Sequence, residues 1–241
     1  MRIIRTQNYT EMSNTAGQMI AEKVRTHPKI TLGLATGSTP SGMYDFLKKD
    51  YQENKTSYRA VSTVNLDEYI GLSKDNPNSY HDFMKKILFD HIDIPLDQTH
   101  ISNGMAADLQ RECDQYDRLI QSLGGVDVQI LGIGQNGHIG FNEPGTSFES
   151  NTHIVSLTEN TRIANSRFFP SIEDVPTNAI TMGISSILKS KEIILLASGV
   201  KKAEAISKLL NGEIDESFPA SALKLHHNVI IIADNDALSL I

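Results

Sequence analysis

Two polar segments, each of which follows an apolar run, carry the residues best suited to acid–base chemistry. VNLDEYIGL contains the neighbouring carboxylates Asp67 and Glu68, and GQNGHIGFNEPG contains His138 with Glu143 five positions later. An isolated acidic pair is more often a solvated turn, and a lone histidine is more often structural. Here a carboxylate at the end of a strand could act as a general base. The glycines around His138 and the nearby Glu143 favour a histidine that moves protons.

Two glycine-containing segments, LATGSTPSG and ASGVKKAEAI, are suited to binding an anion. In the first, the backbone N–H groups and hydroxyls of Gly37, Ser38 and Thr39 fall at the predicted start of a helix, which attracts negative charge. In the second, Lys202 falls in the first turn of a helix, where a cation opposes the helix dipole unless an anion is bound. Arg167, in TRIANSRFF, is a further candidate. The alternatives are an ordinary strand–helix turn with a threonine cap and plain surface charges.

Short apolar runs alternate with amphipathic stretches, which predicts strands alternating with helices. The predicted strands are 2–6, 30–36, 61–66, 126–134, 179–183, 192–198 and 228–234, and the predicted helices are 10–27, 39–52, 78–92, 107–123, 159–169 and 201–212. Strands as apolar as EIILLA and VIIIA indicate a mostly parallel sheet covered by helices on both faces. We therefore predict one α/β domain over residues 1–241, a Rossmann-like sandwich. The polar segments all follow strands, where such sheets form their sites.

Composition excludes several classes of protein. The net charge of −7 argues against a basic face for nucleic acid or for an anionic membrane. The chain has one cysteine, Cys113, so no intrachain disulfide can form, and a reducing cytoplasmic location is expected. We find no signal peptide and no apolar run of membrane-spanning length. There is no HExxH or CxxC pattern, so no metal site is expected.

The segments together resemble the glucosamine-6-phosphate deaminase family, and the match extends in order along nearly the whole chain. It runs through TGSTP, NLDEYIGL, SYHDFM, GHIGFNEPG, TRIANSRFF, GVKKA and LHHNVIIIAD. A competing family with the same fold is 6-phosphogluconolactonase, which typically has an arginine after its Asp-Glu pair; this chain has Tyr69 there. A third alternative is a non-catalytic sugar-phosphate sensor, which would normally carry a helix-turn-helix segment.

The resemblance implies a reaction in which glucosamine 6-phosphate and water become fructose 6-phosphate and ammonia, without a metal or organic cofactor. It implies that His138 opens the sugar ring, held by Glu143 and Asn136, and that Asp67 removes the proton at C2. The residues that it assigns to the phosphate are Thr36, Gly37, Ser38, Thr39, Arg167 and Lys202. The expected partner is thus a small amino sugar phosphate, and neither nucleic acid nor a membrane.

Two departures from the family pattern bear on mechanism and regulation. Some members have an aspartate at the position of Asn136; asparagine can orient His138 but cannot carry charge. Larger members are hexamers activated by N-acetylglucosamine 6-phosphate through basic residues after the NEPG loop. The corresponding segment here, TSFESNTHIVSLTENT, has no Lys or Arg before Arg162. We expect a monomer or small homo-oligomer without an activator site.

Overall fold

The computed structural model describes residues 1–166 and 169–241, apart from the side chains of Asn160 and Ala164. The strands in these residues are β1 (Arg2–Thr6), β2 (Thr31–Leu34), β3 (Ser62–Asn65), β4 (Asp67–Tyr69), β5 (Thr99–His100), β6 (Val128–Leu131), β7 (His153–Ser156), β8 (Asn178–Thr181), β9 (Glu192–Ala197) and β10 (Val229–Asp234). The α-helices are α1 (Tyr9–Thr26), α2 (Ser38–Asn54), α3 (Tyr80–Ile87), α4 (Leu109–Ser122), α5 (Glu159–Asn165), α6 (Ile184–Leu188) and α7 (Ala203–Asn211).

The main sheet is parallel, as the sequence predicted. Its seven described strands lie in the order β1-β10-β9-β6-β2-β3-β5, and each neighbouring pair runs in the same direction. Strands β9 and β10 are apolar apart from one end residue each, Glu192 and Asp234, and their residues other than Glu192 are buried, because helices cover both faces of the sheet. The mostly parallel α/β sandwich predicted from the sequence is therefore confirmed.

Alternate residues of the central strands point to two separate cores. Along β9, Ile194 and Leu196 pack in a core with residues of α1, α2 and α3, while Ile193 and Leu195 pack in a second core with residues of α4, α6 and α7. This alternation follows from the two-residue period of a strand. Because both faces are packed, the strand ends are held rigidly, and the loops that leave them start from fixed positions.

The order of the strands reverses between β2 and β6. From β2 the chain crosses to β3 on one side, whereas strand β9, which follows β6 in the main sheet, lies on the other side. The loops after β2 and β6 therefore diverge and leave a crevice at the carboxyl edge of the sheet. Such switch points are where open α/β sheets bind ligands.

A small second sheet was not predicted from the sequence. Strands β4, β8 and β7 form an antiparallel sheet in that order, in which Asp67 is opposite Thr181. The prediction placed Asp67 in a loop after a strand, which was wrong, because Asp67 begins β4. The predicted strand at 179–183 is confirmed as β8, but it belongs to this small sheet and not to the parallel one. The Met182 N–H donates to the Leu66 carbonyl, so the small sheet is fixed next to the end of β3.

Several predicted helices are shorter in the structure. Helix α3 is capped by Ser79, whose side chain accepts from the Asp82 N–H, but it ends at Ile87 and a 3₁₀ turn follows. The predicted helix at 159–169 is regular only over α5, and its residues 167 and 168 lie outside the described ranges. In the described part of the chain, no helix is both long and apolar enough to cross a membrane.

Candidate active site

A cleft of about 360 Å³ opens at the switch point between β2 and β6. Its size is within the usual range for small-molecule sites, about 300–1,000 Å³. It is lined by the predicted residues Thr36, Gly37, Ser38, Thr39, Asp67, His138 and Lys202. Four segments far apart in sequence therefore meet in one cleft, because they all leave the carboxyl edge of the sheet or the small sheet beside it.

The loop after β2 presents the start of α2 to the cleft. Gly37 precedes this 17-residue helix with φ of +100°, a conformation that favours glycine. No side chain caps the helix at Gly37, and the N-terminal backbone face of α2 borders the cleft at Ser38 and Thr39. A helix start of this kind has backbone N–H groups and a partial positive charge suited to an anion.

The two neighbouring carboxylates have different surroundings. Asp67 lines the cleft and is 7% exposed, and burial, with the nearby charge of Glu68, raises the pKa of Asp67 to about 8. Glu68 is turned towards α3, where it accepts the backbone N–H groups of Tyr80 and His81 at 2.9 and 3.0 Å. One carboxylate therefore points into the cleft and the other points away from it. Asp67 is thus a candidate base, while Glu68 stabilises the start of α3.

His138 is oriented by Asn136. The amide Nδ2 of Asn136 donates to Glu143 Oε2 at 2.7 Å, so its Oδ1 faces His138 Nδ1 at 2.8 Å. A carboxylate can accept only, which fixes the orientation of the amide. The neutral imidazole then carries its hydrogen on Nδ1, where it donates to Asn136, and Nε2 is left to accept a proton.

The electrostatic surroundings of His138 keep it neutral. Burial lowers the pKa of His138, Glu143 opposes this effect and Lys202 adds to it. Glu143 Oε2 lies 3.7 Å from His138 Nδ1. The added Cβ of an alanine at position 134 would lie 2.3 Å from the imidazole ring, so Gly134 is required for the ring to occupy this place. A neutral, oriented imidazole is able to act as a general base.

Lys202 provides a positive charge in the cleft. Its ammonium donates to the Ile133 carbonyl at 2.7 Å, and burial lowers the pKa of Lys202. It lies in a 3₁₀ turn before α7, rather than in α7 itself as predicted. Asp234, at the end of β10, fixes this turn by accepting the Gly199 N–H at 3.0 Å. Arg167, the other predicted cation, lies outside the described residues.

Some residues that line the cleft were not found by sequence reasoning. Tyr69, Tyr80, Phe141 and Phe169 form an aromatic wall, with ring centroids of Tyr69 and Tyr80 4.8 Å apart. The Tyr80 hydroxyl also donates to the Tyr69 hydroxyl at 3.3 Å. The sequence shows an aromatic residue close to Asp67 and another directly after Ser79. Aromatic side chains usually belong to a protein core, so these two did not indicate a binding site.

Helix α5 adds two polar side chains to the same cleft, Thr161 and Asn165. Thr161 Oγ1 donates to Glu143 Oε1 at 2.5 Å, which connects the helix to the residues around His138. Among the described residues, no group of three or more His, Cys, Asp or Glu side chains is arranged to hold a metal ion.

Comparison with known proteins gives matches along the whole chain. The family model of glucosamine-6-phosphate isomerases/6-phosphogluconolactonase matches residues 5–232. The glucosamine-6-phosphate deaminase of Halalkalibacterium halodurans is 58% identical over 238 residues, which cover 99% of this chain and 97% of that protein. Glucosamine-6-phosphate deaminase 1 of Bacillus subtilis is 53% identical over 240 residues, which cover 100% of this chain and 99% of that protein.

Solved structures give the same result. A monomeric glucosamine-6-phosphate deaminase matches with a TM-score of 0.98 and 53% identity, and the match covers 100% of both chains. The 6-phosphogluconolactonase of Trypanosoma brucei matches with a TM-score of 0.79 over 99% of this chain and 97% of that one. At 19% identity, the second likeness concerns the fold alone.

Proposed function

We infer that this chain, which belongs to the family of glucosamine-6-phosphate isomerases and 6-phosphogluconolactonases, is a glucosamine-6-phosphate deaminase. It converts glucosamine 6-phosphate and water to fructose 6-phosphate and ammonia. The observation that carries this inference is the meeting of a buried carboxylate, Asp67, and a neutral imidazole, His138, in one cleft beside a helix start. The reaction needs two separate proton transfers on one sugar phosphate, and the cleft offers a group for each.

The phosphate of the substrate binds at the start of α2. The groups assigned to it are the backbone and hydroxyls of Thr36, Gly37, Ser38 and Thr39, the ammonium of Lys202 and the guanidinium of Arg167. Charge-assisted hydrogen bonds from such groups are about twice as strong as neutral ones. The phosphate thus fixes the sugar, so that its reacting carbons face Asp67 and His138, and this orientation contributes to the rate.

His138 opens the ring. Its Nε2 accepts the proton of the anomeric hydroxyl and returns a proton to the ring oxygen, which breaks the bond between that oxygen and C1. The imidazolium that forms in between is stabilised by Glu143, 3.7 Å from Nδ1, and by the amide oxygen of Asn136. Asn136 and Glu143 act through His138 and are positioning residues.

Asp67 carries out the isomerisation. In the open-chain aldehyde the hydrogen on C2 is acidic, and the amino group on C2 is protonated. The positive charge of this ammonium favours the ionised form of Asp67, which counteracts the effect of burial on its pKa. The carboxylate removes the proton from C2 and delivers it to C1, while one proton of the C2 ammonium passes to the C1 oxygen, which becomes a hydroxyl. The resulting imine at C2 then reacts with water, which becomes the ketone oxygen as ammonia leaves.

We further propose that residues 1–241 form one catalytic domain that works in the cytoplasm as a monomer or small homo-oligomer without an activator site. The pairing of β1 with β10 in one sheet supports the single domain. The buried Cys113 fits a reducing compartment. The likeness to a monomeric deaminase supports the oligomeric state, and the lack of Lys and Arg in the segment after NEPG supports the absence of an activator.

The function is tested with the purified protein and glucosamine 6-phosphate, without added metal or activator. Fructose 6-phosphate is followed through a coupled NADP-linked assay, and ammonia is measured in parallel. We expect equal amounts of both products and a hyperbolic dependence on substrate. Hydrolysis of 6-phosphogluconolactone without these products would contradict the deaminase assignment. Sigmoidal kinetics relieved by N-acetylglucosamine 6-phosphate would contradict the absence of an activator site alone.

A further inference from the structure

The carboxylate of Glu143 is held from two sides. On one side, Oε2 accepts from Asn136 Nδ2 at 2.7 Å, and this is the side that faces His138. On the other side, Oε1 accepts from Thr161 Oγ1 at 2.5 Å. The single hydroxyl hydrogen of Thr158 is directed to Thr161 Oγ1, at 3.0 Å, which is closer than Glu143 Oε1 at 3.4 Å. A carboxylate with partners on both oxygens cannot rotate without losing hydrogen bonds.

The two threonines belong to the start of α5. Thr158 caps the helix, and its hydroxyl oxygen accepts the Thr161 N–H at 3.2 Å. Thr161 is 8% exposed, and it both lines the cleft and contacts Glu143. The hydrogen bond to Glu143 is therefore shielded from water, and hydroxyl-to-carboxylate bonds of this kind are strong.

We propose that Thr161 is a positioning residue for ring opening, which through Glu143 and Asn136 holds the imidazole of His138 in its reactive orientation. This inference rests on the deaminase function proposed above. Thr161 fixes Glu143, Glu143 fixes the Asn136 amide, and the amide selects the Nδ1–H form of His138. The placement of α5 thereby decides whether the cleft can open the sugar ring.

The contact also has an electrostatic consequence. The charged groups that affect His138 are Glu143, which raises its pKa, and Lys202, which lowers it, while Asp67 lines the same cleft. If Thr161 loses its hydroxyl, Glu143 is no longer fixed 3.7 Å from His138 Nδ1, and its influence weakens. The pKa of His138 then falls further, because burial and Lys202 both lower it and Glu143 raises it less than before.

Three variants test the proposal. Thr161→Val keeps the shape of the side chain but removes the hydroxyl, Thr161→Ser restores the hydroxyl, and Thr158→Val removes the helix cap while the Thr161 hydroxyl stays. We expect Thr161→Val to lower kcat/KM about 10–100-fold, a part of the usual contribution of a general base. The acid limb of its kcat should move to lower pH, since His138 must be neutral to accept the proton and the substrate ammonium keeps Asp67 ionised in the enzyme–substrate complex. Thr161→Ser should regain most of the activity, and the acid limb of its pH profile should lie at the wild-type pH.

Three results would overturn the proposal. These are a Thr161→Val enzyme within about twofold of wild type, a Thr161→Ser enzyme as impaired as Thr161→Val, or a Thr158→Val enzyme with the same loss and the same pH shift. The last would show that the helix cap matters, and the contact with Glu143 does not.

Titration of His138 by NMR in the Thr161→Val protein needs no turnover. We expect its midpoint below that of wild type, and an unchanged or higher midpoint would contradict the proposal. This readout separates failure of the inference from failure of the deaminase function, which the wild-type product assay decides. If Thr161→Val does not fold, the same titration and kinetics on Thr161→Ser and Thr158→Val decide the matter.

Discussion

Replacing Asn136 by aspartate should raise the pKa of His138. The present amide oxygen lies 2.8 Å from His138 Nδ1. A unit negative charge at that distance would stabilise the imidazolium by about 6 kcal/mol at an effective dielectric constant of about 20. Two features reduce this value. Asn136 is exposed, so water screens the new charge, and the introduced carboxylate would face Glu143, now 2.7 Å from the amide nitrogen. Repulsion favours a proton shared between the two carboxylates.

We therefore expect Asn136→Asp to raise the midpoint of the His138 titration by about one pH unit. Because His138 acts as a base when neutral, and the substrate ammonium keeps Asp67 ionised in the enzyme–substrate complex, the acid limb of kcat should move upward by the same amount. NMR titration of the imidazole and a pH–rate profile measure the two quantities.

Glu143→Gln is the matched control, since it removes the charge that raises the pKa of His138, and its midpoint should move downward. An unchanged or lower midpoint in Asn136→Asp, or a higher one in Glu143→Gln, would refute the reasoning.

Three further changes separate structural roles from chemical ones. Glu68→Gln should lower the free energy of unfolding by about 2–4 kcal/mol, because a buried acceptor of two backbone N–H groups is lost; an unchanged urea midpoint would contradict this. Lys202→Gln should raise KM about 10–100-fold and change kcat less, because it removes a charge from the phosphate site; steady-state kinetics in which kcat alone falls would argue against that role. Gly134→Ala should lower kcat/KM at least about tenfold, because its Cβ would displace the His138 ring; normal activity would show that the ring can move.

The place of the site could be predicted from the sequence because parallel strands end at one edge. Gly37, Asp67, His138 and Lys202 each follow an apolar run, and the structure brings them together in one cleft. That result needs only the common direction of the strands, which follows from the alternation of strands and helices. The switch point between β2 and β6 was not predicted, because it depends on the order of the strands. The exact pairing of strands was not needed.

The small antiparallel sheet could not be predicted in the same way. Its strand β4 has three residues and pairs with β8, so Asp67 lies opposite Thr181, far along the chain. Short strands carry little periodic signal, and their pairing depends on distant partners. Asp67 is buried as part of this sheet, so the raised pKa of its carboxylate could not be predicted from the sequence either.

The contacts around His138 were partly predictable. The spacing of His138 and Glu143 suggested that they act together, and the family resemblance added Asn136; the three side chains do form one hydrogen-bonded group. The contribution of Thr161 was hidden, because a threonine near the start of a helix usually reads as a capping residue. Its contact with Glu143 depends on how α5 packs against the loop after β6, which is a tertiary feature.

The central claim is that Asp67 is the base that moves the proton from C2 to C1. Its most direct test is the rate of fructose 6-phosphate and ammonia formation by Asp67→Asn at saturating glucosamine 6-phosphate, compared with wild type, with substrate binding measured by calorimetry. The account predicts a loss of at least about 10²–10⁴-fold in rate, with the substrate still bound through its phosphate. Equal rates for the two proteins would contradict it.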